Sequence, residues 1–590
     1  MSRIASLSQL LVLFLAVSGV LFSGTDARML RKKHKCSYVI VGGGTAGAGL
    51  AELALKFPRE TICLLERGPS IDETPLANEI RYVNGLLAVA ANYSADPSVF
   101  ALTEVINSIP QAGLYGRVVE SHFPKVAGGA ASVNAMGYRR PAKDTVDNMQ
   151  VPGWKWDDWK VDFQRAEDRC GIAELPLDGQ VYPARAIIQS AFEQEGYPYN
   201  ADPLSGKILG AYPTYWSISN GSFPLKRRST WFGWVEDGAG KFFDNLKVFT
   251  NVRADWVRLS RFNRADGVWA TDLKTGEKMF FKARREVILA AGTIRDPQIL
   301  MQSGIGDRSV LSGWGIPTKV NNPNVGKNLW AHGNVAQLFF LNPALQVAPI
   351  PEQEIGVSVF GWGPVGTQNV SQSTARASWS IGFSQLTLPF AIPPISNGPL
   401  TTVGFVETAI YFENSRGSIA FTNGSMGDPI LDLGFLSDPS ELQTAVAAVM
   451  EGNRLANNPT MKQAFLFRLQ PGPEVDLSNP EVAAGYILFG GMADTYHNGG
   501  TCRMGGWNQR SVRVVDEYAK VVGTDNLRVC SLSIIPKPLG VNTAGSAMAA
   551  GARCVRLIQD ERRRYRSVDF EDGDEEPDYE EEPEKYFNQE

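Results

Sequence analysis

The residues best suited to proton transfer in this chain are its four histidines, because an unperturbed imidazole titrates near pH values of about 6.5. They are His34, His122, His332 and His497. His497 is followed closely by two glycines, and a glycine-rich segment lets a planar ligand approach the backbone. His34 lies in a basic run and is expected to be solvated, while His122 is expected to pack or to hydrogen-bond. The residues alone leave His332 and His497 as candidates for an acid–base role.

A glycine motif near the N-terminus predicts a binding site for a dinucleotide. Tyr38–Val41 is a short β-branched and aromatic run, typical of a strand buried on both faces. Gly42, Gly44 and Gly47 then form G-x-G-x-x-G, which allows a tight turn, close approach of a pyrophosphate and close helix packing. Glu66 follows about 20 residues later, where a carboxylate would bind a ribose hydroxyl. The pattern does not distinguish FAD from NAD.

Several further segments must position these residues. Buried strands are predicted at residues 61–65, 246–259, 286–292 and 527–530. Short alternating runs between residues 333 and 433 are typical of an antiparallel sheet with one wet face. Helices are predicted from near Asp296-Pro297, where proline is tolerated in a first turn, and over residues 440–456 and 544–558.

Length and composition are those of a large globular protein. At 590 residues the chain exceeds a typical single domain, so two interleaved domains are expected. Its hydrophobic content of 44% and charged content of 20% are ordinary. The net charge of -5 argues against a nucleic-acid partner.

The two ends of the chain differ from the middle. Residues 1–27 are predicted to be a signal peptide, with a charged Arg3, an apolar run from Leu10 to Phe22 and a small-residue cleavage site. A retained membrane anchor is the alternative, and only then would a membrane be a partner. Residues 568–590 are dominated by Asp and Glu and are predicted to be a disordered acidic tail.

Glycosylation sequons and cysteines bear on the compartment. Sequons at four asparagines support a secreted, extracellular protein. They are Asn92, Asn220, Asn369 and Asn423. The six cysteines show no metal-ligand spacing, so no metal site is predicted. Cys36 and Cys63 are expected to be small buried hydrophobes, while a disulfide among the other four is possible.

Five separated segments resemble the glucose–methanol–choline (GMC) oxidoreductases, which are FAD-dependent. Residues 127–136, AGGAASVNAM, and residues 291–306, AGTIRDPQILMQSGIG, resemble the two family signatures. Residues 325–332 resemble the segment leading into the family's substrate domain. Residues 497–505, HNGGTCRMG, resemble its catalytic-histidine segment, and Val541-Asn542 lies at the position of the second catalytic residue. The resemblance covers the chain from about Tyr38 to Ile558.

The resemblance implies an α/β fold. A Rossmann-like FAD-binding domain is expected to be interleaved with an α+β substrate domain built on an antiparallel sheet. The FAD-binding domain is expected to comprise residues 36–155, 226–330 and 479–567, the last with the catalytic residues. The substrate domain is expected to comprise residues 156–225 and 331–478.

The resemblance also implies roles for individual residues. His497 matches the base that removes a hydroxyl proton while hydride passes to flavin N5. Asn542 matches the group that hydrogen-bonds the developing alkoxide, although it is equally suited to capping the last helix. His332 matches a histidine of structural character. The residues expected to bind FAD are Gly42, Gly44, Thr45, Ala46, Gly47, Glu66, Gly128, Gly129, Asn134, Ala135, Met136, Val252 and Ser531.

The chain departs from the family pattern at several positions. Ala331 replaces an expected Asp, Asn498 an expected Pro and Pro141 an expected Gly. Cys530-Ser531 replaces the usual Val-Asp, whose carboxylate lies near the flavin's phosphate region, so weaker or rearranged FAD contacts are expected there. Val133 stands where some members bond flavin to a histidine, which implies noncovalent FAD.

Three rival functions fit the same resemblance. A hydroxynitrile lyase keeps FAD on this fold but generally uses histidine at both catalytic positions, where this chain has Asn542. A light-driven fatty acid decarboxylase depends on a cysteine in the substrate domain, and no cysteine lies between Cys170 and Cys502. A non-catalytic flavoprotein or secreted binding module is disfavoured by His497 and Asn542 but left open by Ser531.

The substrate is expected to be a small-molecule alcohol, with O2 or another acceptor reoxidising the flavin. Aromatic residues on the predicted substrate-domain strands hint at an apolar or aromatic alcohol, although aromatic residues on sheets more often form core. They are Trp379, Phe383, Phe390, Phe405, Tyr411 and Phe412.

Overall fold

The computed structural model describes residues 32–74, 102–174, 184–212, 215–217, 227–239, 244–345, 379–388, 401–422 and 427–566. The predicted signal peptide, the four sequons and the predicted acidic tail lie outside these residues. The strands are β1 (Lys32–Val41), β2 (Ile62–Leu65), β3 (Thr103–Asn107), β4 (Glu120–Pro124), β5 (Gly137–Tyr138), β6 (Ala173–Glu174), β7 (Tyr215–Trp216), β8 (Leu246–Phe249), β9 (Val252–Leu259), β10 (Ala265–Asp272), β11 (Lys278–Leu289), β12 (Ile305–Gly306), β13 (Val320–Asn321), β14 (His332–Leu341), β15 (Trp379–Leu388), β16 (Thr401–Tyr411), β17 (Ser418–Phe421), β18 (Pro429–Asp432), β19 (Phe465–Gln470), β20 (Met492–Asp494) and β21 (Leu527–Val529). The α-helices are α1 (Thr45–Leu50), α2 (Leu53–Lys56), α3 (Lys143–Asp147), α4 (Trp156–Cys170), α5 (Ala184–Gln194), α6 (Gly292–Gln302), α7 (Arg308–Gly313), α8 (Glu441–Ala456), α9 (Pro480–Tyr486) and α10 (Ala544–Arg566).

The larger sheet is mostly parallel and has the strand order β8–β2–β1–β11–β10–β9, with β21 beside the end of β11. β1 pairs in parallel with both β2 and β11, while β9 and β10 add an antiparallel edge. The carboxyl ends of β1, β2, β11 and β21 therefore meet at one edge of the sheet. Binding sites in parallel sheets lie at this edge, which places Gly42, Glu66, Ala290 and Ser531 together.

β1 is buried because helices cover the sheet. Tyr38, Val39 and Ile40 are fully inaccessible to solvent, as the continuous apolar run in the sequence predicts. α1 and α10 pack against each other beside it. A Cβ at Gly551 would lie 2.3 Å from the Ala46 carbonyl oxygen, so glycine there allows the two helices to touch.

The second sheet is antiparallel and has the strand order β15–β16–β14–β19, with β20 beside β14. Helix α8 packs against β15 and β16. The alternating runs of the sequence thus correspond to β14, β15 and β16, and the helix predicted at 440–456 is α8. β20 joins this sheet from the segment 479–567, which the sequence analysis assigned to the other domain.

One helix begins earlier than the sequence predicts. The expected start at Asp296-Pro297 was wrong, because α6 begins at Gly292 and contains Pro297 in its interior. Proline lacks the N–H that would bond the carbonyl four residues back, here that of Thr293. The hydroxyl of Thr501 donates to that carbonyl at 2.6 Å instead. A tertiary contact therefore compensates for the proline, which the local sequence does not reveal.

Two disulfides cross-link the larger sheet. Cys36 of β1 is bonded to Cys63 of β2, with their Cα atoms 5.9 Å apart, so the prediction of two free buried thiols was wrong. The two strands lie side by side, and this Cα separation is within the usual range for a disulfide. Cys530 is bonded to Cys554 of α10, which fits the expected disulfide among the other four cysteines.

The N-terminal histidine is packed rather than solvated, contrary to expectation. His34 lies on β1, where its ring stacks on Phe281 at 4.6 Å and meets Phe249 edge-on at 4.8 Å. Burial lowers the pKa of His34, with Lys32 adding to the effect.

Among the described residues, no helix combines the length and the apolarity needed to cross a bilayer.

Candidate active site

One cavity collects nearly all the predicted site residues. Its walls come from the carboxyl edge of the parallel sheet on one side and from β14, β15 and β16 on the other. The predicted residues that line it are Gly42, Gly44, Thr45, Ala46, Glu66, Gly129, Asn134, Ala135, Val252, Ser531, His497 and Asn542. The remaining predicted residues lie behind the cavity wall and set the course of its backbone. They are Gly47, Gly128 and Met136. The arrangement joins a dinucleotide cradle to a histidine.

The glycine motif forms a cradle that a larger residue would fill. Gly42 has φ of +98° and closes the turn after β1. A Cβ at Gly47 would lie 1.8 Å from the Gly42 carbonyl oxygen, so the third glycine serves packing of α1 on β1. A Cβ at Gly44 would meet no protein atom closer than 3.8 Å and would project beside the cavity that Gly44 lines. Gly44 is thus the position where a ligand can approach the backbone.

A second glycine loop packs on the first. The Gly128 amide donates to the Gly43 carbonyl at 2.8 Å. The Thr45 hydroxyl donates to the Gly128 carbonyl at 3.3 Å and accepts from the Ala131 amide at 3.1 Å. These bonds hold the two loops together as one wall of the cavity. The residues present therefore fit a dinucleotide.

Glu66 braces the loops as well as facing the cavity. Its carboxylate accepts from the Gly43 amide at 2.8 Å and from the Gly68 amide at 2.7 Å. Burial raises the pKa of Glu66, and these two backbone donors oppose that shift. A carboxylate offers about four acceptor positions, so the bonds to Gly43 and Gly68 leave capacity for a ribose hydroxyl.

Ser531 is joined to a buried carboxylate that the sequence analysis did not single out. Its hydroxyl donates to Asp296 Oδ2 at 2.6 Å, and the Ser533 hydroxyl donates to the same oxygen at 2.8 Å. The other oxygen accepts from the Ala291 amide at 2.7 Å. Asp296 lies on α6 across from the end of β21. A carboxylate expected at position 531 is therefore present nearby, supplied by a different element.

The surroundings of the Asp296 carboxyl group raise its pKa. Burial raises the pKa of Asp296 to about 6, against the hydrogen bonds from Ser531 and Ser533. Asp296 is the one acidic residue in the segment 291–306, which was a usable signal in the sequence. The sequence did not show that the Asp296 carboxylate would contact Ser531.

His497 faces the cavity in a neutral state. Burial lowers the pKa of His497 from 6.5 to about 4, and the positive charge of Arg139 adds to the shift. The ring is half-buried, and its accessible surface faces the enclosed cavity rather than bulk solvent. An unprotonated imidazole at neutral pH can accept a proton.

His332 contacts His497 directly from outside the cavity. The two Nδ1 atoms lie 3.4 Å apart. His332 is itself held by the Trp330 ring, stacked at 5.5 Å, and by Tyr411, edge-on at 4.7 Å. Burial holds the pKa of His332 well below its usual range, with His497 adding to the effect. The packing of His332 matches the structural role expected of it.

Asn542 also lines the cavity, two residues before α10 begins. Within the described part of the chain its side chain makes no hydrogen bond, either to the backbone of α10 or elsewhere. No observed hydrogen bond therefore supports the alternative in which Asn542 caps α10. The Asn542 amide is free to bind a ligand in the cavity.

The remaining cavity histidine has partners of its own. His122 Nε2 lies 2.9 Å from Glu120 Oε1, and the ring meets Tyr496 edge-on at 5.3 Å. Both contacts fit the packing and hydrogen-bonding role expected from the sequence. Val133 lines the same cavity and carries no nucleophilic atom.

The sequence analysis missed several charged residues on the cavity wall, including Arg139 and Glu407. Arg139 follows β5, and Glu407 lies on β16. Both line the part of the cavity near His497. The only signal in the sequence was the pair of consecutive arginines, Arg139 and Arg140, at the end of the first family-like signature.

A dinucleotide cradle opening onto a neutral histidine is the arrangement of a dinucleotide-dependent enzyme. The N-terminal and C-terminal GMC oxidoreductase models match residues 36–334 and 413–551, respectively. The chain belongs to the GMC oxidoreductase family. It is accordingly an FAD-dependent oxidoreductase that acts on CH–OH groups of donors.

Relatives with known names agree with this assignment. The chain is 26% identical to an alcohol dehydrogenase [acceptor] of Pseudomonas putida, over 88% of this chain and 95% of that protein. It is 26% identical to a 5-(hydroxymethyl)furfural oxidase of Methylovorus sp. (strain MP688), over 86% and 95%. A solved formate oxidase variant of Aspergillus oryzae RIB40 shares the fold, with a TM-score of 0.75, 20% identity and coverage of 90% and 99%.

Glu66 provides a first test of the cradle. Glu66→Ala is expected to weaken FAD binding by about ten- to a hundredfold, because a charge-assisted hydrogen bond contributes about 1.5–3 kcal/mol. The measurement is titration of apoprotein with FAD, followed by quenching of flavin fluorescence. The control is Glu73→Ala, which removes an exposed carboxylate whose partner is Lys274, 2.7 Å away. If Glu66→Ala and Glu73→Ala bind FAD equally well, Glu66 only braces the loops.

Proposed function

We propose that this protein is a secreted FAD-dependent oxidoreductase that oxidises an alcohol, with His497 as the proton acceptor and Asn542 as the orienting group. The proposal rests on one observation: an unprotonated imidazole and a side-chain amide without a hydrogen-bond partner among the described residues both line one cavity. The relatives named alcohol dehydrogenase [acceptor] and 5-(hydroxymethyl)furfural oxidase support it.

The parallel sheet is proposed to hold FAD, and the antiparallel sheet to face the substrate. Gly42, Gly44, Thr45, Glu66 and Ser531 would hold the cofactor along the carboxyl edge of the parallel strands. When bound, FAD would supply the acceptor for the hydride. The two domains are proposed to be interleaved in sequence, because the strands of the antiparallel sheet lie between β11 and β21 of the parallel sheet along the chain.

His497 is proposed to take the hydroxyl proton on Nε2. Its Nδ1 points at His332 Nδ1, so a hydrogen bond there requires one ring to donate. If His497 donates, its Nε2 has a free lone pair that can receive the proton. Because His332 is buried and neutral, it can act as the acceptor in this bond. His332 thus positions His497 and selects its tautomer.

Asn542 is proposed to orient the alcohol oxygen. Its amide group can donate to that oxygen as negative charge develops there, which stabilises the charge. Two further amide oxygens, those of Asn334 and Asn498, are buried without a partner among the described residues, and both side chains line the cavity. They can accept from other hydroxyl groups of a substrate.

The decisive experiment is anaerobic mixing of the purified, FAD-loaded protein with a panel of alcohols. Bleaching of the flavin absorbance by an alcohol, followed by recovery when air is admitted, would support an alcohol oxidase. Bleaching that persists in air but is reversed by an artificial acceptor would support a dehydrogenase. A panel that leaves the flavin oxidised throughout would defeat the proposal.

The hydroxynitrile lyase alternative is tested with the same preparation. A lyase would release benzaldehyde from mandelonitrile while the flavin stays oxidised. The position expected to hold a second histidine in such enzymes is Asn542, and no contact of Asn542 favours this reaction. We therefore keep alcohol oxidation as the proposed activity.

FAD is proposed to be noncovalently bound. Val133 offers no atom that could bond to the flavin, and it lies on the cavity wall. Acid precipitation should therefore leave free FAD in the supernatant. Yellow colour retained in the washed pellet would contradict this.

Secretion is proposed from the N-terminal segment and the sequons, and it agrees with the two disulfides, which form in oxidising compartments. The mature protein is expected to begin near Arg28 and to shift to lower mass on treatment with an N-glycosidase. N-terminal sequencing and mass spectrometry of the native product test this. A membrane-bound product that begins at Met1 would favour the retained anchor.

A further inference from the structure

Arg139 is a buried cation with no hydrogen-bond or ion-pair partner among the described residues. Its side chain is only 9% exposed, and what remains accessible lines the cavity. In the portion of the chain that the structure describes, its guanidinium donates no hydrogen bond and has no carboxylate oxygen within 4.0 Å. Its nearest support is the Tyr212 ring, whose centroid lies 5.8 Å from the guanidinium carbon.

The neighbouring Arg140 shows how a buried guanidinium in this region forms hydrogen bonds when partners are present. Arg140 is equally buried but pairs with Glu167 through two bonds of 2.5 Å, and it also donates to Gln164 at 2.9 Å. Arg528, also buried, pairs with Glu286 and Glu561. A buried charge is costly to leave unpaired, so the unpaired guanidinium of Arg139 favours a matching group that binds in the cavity.

The acidic residues on the cavity wall do not neutralise Arg139. Both oxygens of Asp494 are engaged, by Ser121 at 2.7 Å, by Asn498 at 3.2 Å and by the Tyr496 amide at 3.0 Å. Glu407 interacts with Arg139 only at a distance. Burial raises the pKa of Glu407, which favours its uncharged form, and Arg139 opposes this shift.

Arg139 lies at the substrate end of the cavity. The groups that interact with it electrostatically are Tyr212, Glu407, Tyr411 and His497. Glu407 and Tyr411 belong to β16 of the antiparallel sheet, and His497 is the proposed base. The glycine cradle at Gly42–Gly47 is built on the other sheet. A group bound to Arg139 would therefore belong to the molecule that His497 acts on.

We propose that Arg139 binds a carboxylate of the substrate, so that the alcohol oxidised by this protein is a hydroxy acid. The inference rests on the proposed function and specifies its substrate class. A guanidinium with its donors unused matches a carboxylate in a bidentate geometry. The carboxylate is unchanged in the reaction: the carbinol carbon loses hydride to the enzyme's electron acceptor and the hydroxyl proton passes to His497, giving the aldehyde or ketone acid.

The test compares 4-(hydroxymethyl)benzoate with its methyl ester, which differ mainly in charge. With FAD-loaded wild-type protein under anaerobic conditions, the acid should reduce the flavin at much lower concentrations than the ester. Arg139→Met should raise the half-saturating concentration of the acid about ten- to a hundredfold. It should leave that of the ester within about twofold, because the ester carries no charge for the arginine.

Two controls are needed. The first separates the effect of the charge of Arg139 from the effect of its shape, and the second separates substrate binding from turnover. Arg139→Lys keeps a positive charge and should retain part of the preference for the acid. Calorimetric binding of 4-methylbenzoate, which has no hydroxyl group to oxidise, should be detectable with wild-type protein and lost with Arg139→Met. The comparison of acid and ester on wild-type protein alone still decides the question if the variants fold poorly.

Several results would overturn the inference. These are a wild-type preference for the ester, an equal effect of Arg139→Met on both alcohols, or a preference for an amino alcohol, which would point to Glu407 instead. Loss of FAD from Arg139→Met, with anion binding unchanged, would place the arginine against the cofactor. If neutral alcohols reduce the flavin and hydroxy acids do not, the proposed function stands and the inference fails. If 4-methylbenzoate binds through Arg139 but no alcohol reduces the flavin, alcohol oxidation fails while the anion site stands.

Discussion

Replacing His497 by alanine is expected to slow anaerobic reduction of the flavin by about 10²–10⁴-fold while the protein keeps its fold and its FAD, because a positioned acid–base group contributes about that factor. The imidazole faces the cavity, and the pKa of His497 is lowered to about 4 by burial and by Arg139, so the ring is unprotonated at neutral pH. His122, the other cavity histidine, is engaged with Glu120.

The pH dependence follows from the same shift. An acceptor must be deprotonated, so the reduction rate should be constant above about pH 5 and fall as pH drops through about 4, the pKa of His497. An unshifted imidazole would instead lose activity below about pH 6.5. Stopped-flow reduction measured from pH 3.5 to pH 8 distinguishes these profiles, provided that circular dichroism shows the fold intact at each pH.

Variants around His497 sharpen the prediction. Asn542→Ala should cost less than His497→Ala, since it removes a hydrogen bond and leaves the proton acceptor. His332→Phe should keep ring packing against Trp330 but lose the contact to His497 Nδ1, so it should lower the reduction rate and alter its pH profile. A folded, FAD-loaded His497→Ala protein whose flavin bleaches at the wild-type rate would defeat the mechanism.

Glycine replacements in the cradle are expected to abolish formation of the FAD-loaded protein. Gly47→Ala places a methyl group 1.8 Å from the Gly42 carbonyl oxygen, well inside van der Waals contact, so α1 and the turn after β1 must separate. Both elements form the wall that would hold the cofactor. The purified variant should be colourless, and its apoprotein should melt at lower temperature.

Gly44→Ala tests the cofactor itself. The added methyl group would meet no protein atom nearer than 3.8 Å, so the apoprotein should fold and melt like the wild type. It would project beside the cavity, where a bound pyrophosphate must approach the backbone, and FAD affinity should fall by at least about tenfold.

Gly49→Ala is the matched control for both variants. It adds the same methyl group to α1, where the nearest atom is also 3.8 Å away, but Gly49 does not line the cavity. Gly49→Ala should keep both stability and FAD. A Gly44→Ala protein that binds FAD as tightly as Gly49→Ala would mean that the motif is only a packing turn.

The sequence predicted the parts of the site that depend on local order. The Tyr38–Val41 strand, the glycine turn and Glu66 follow one another within a single βαβ unit, so spacing alone located them. His497 and Asn542 came from the family resemblance, and both line the cavity. The order of residues within one βαβ unit therefore located the cradle, whereas the family resemblance located His497 and Asn542.

The parts that were missed depend on contacts between distant segments. Cys36 and Cys63 gave no pairing signal, because only the packing of β1 beside β2 brings them together. Asp296 replaces a carboxylate expected at Ser531, an exchange visible only when α6 lies against β21. Arg139 and Arg140 are the same residue type in sequence, and only the position of Glu167 separates a paired arginine from an unpaired one.

The central position of β1 has a consequence for the synthesis of the chain. β1 is complete at Val41, but its partner β11 begins only at Lys278. At about 5–20 residues per second, translation would separate the two by about 10–50 seconds. During that interval one edge of the apolar run Tyr38–Val41 has no neighbour, the condition that promotes edge-to-edge aggregation. Any product that stops before Lys278 keeps this open edge permanently.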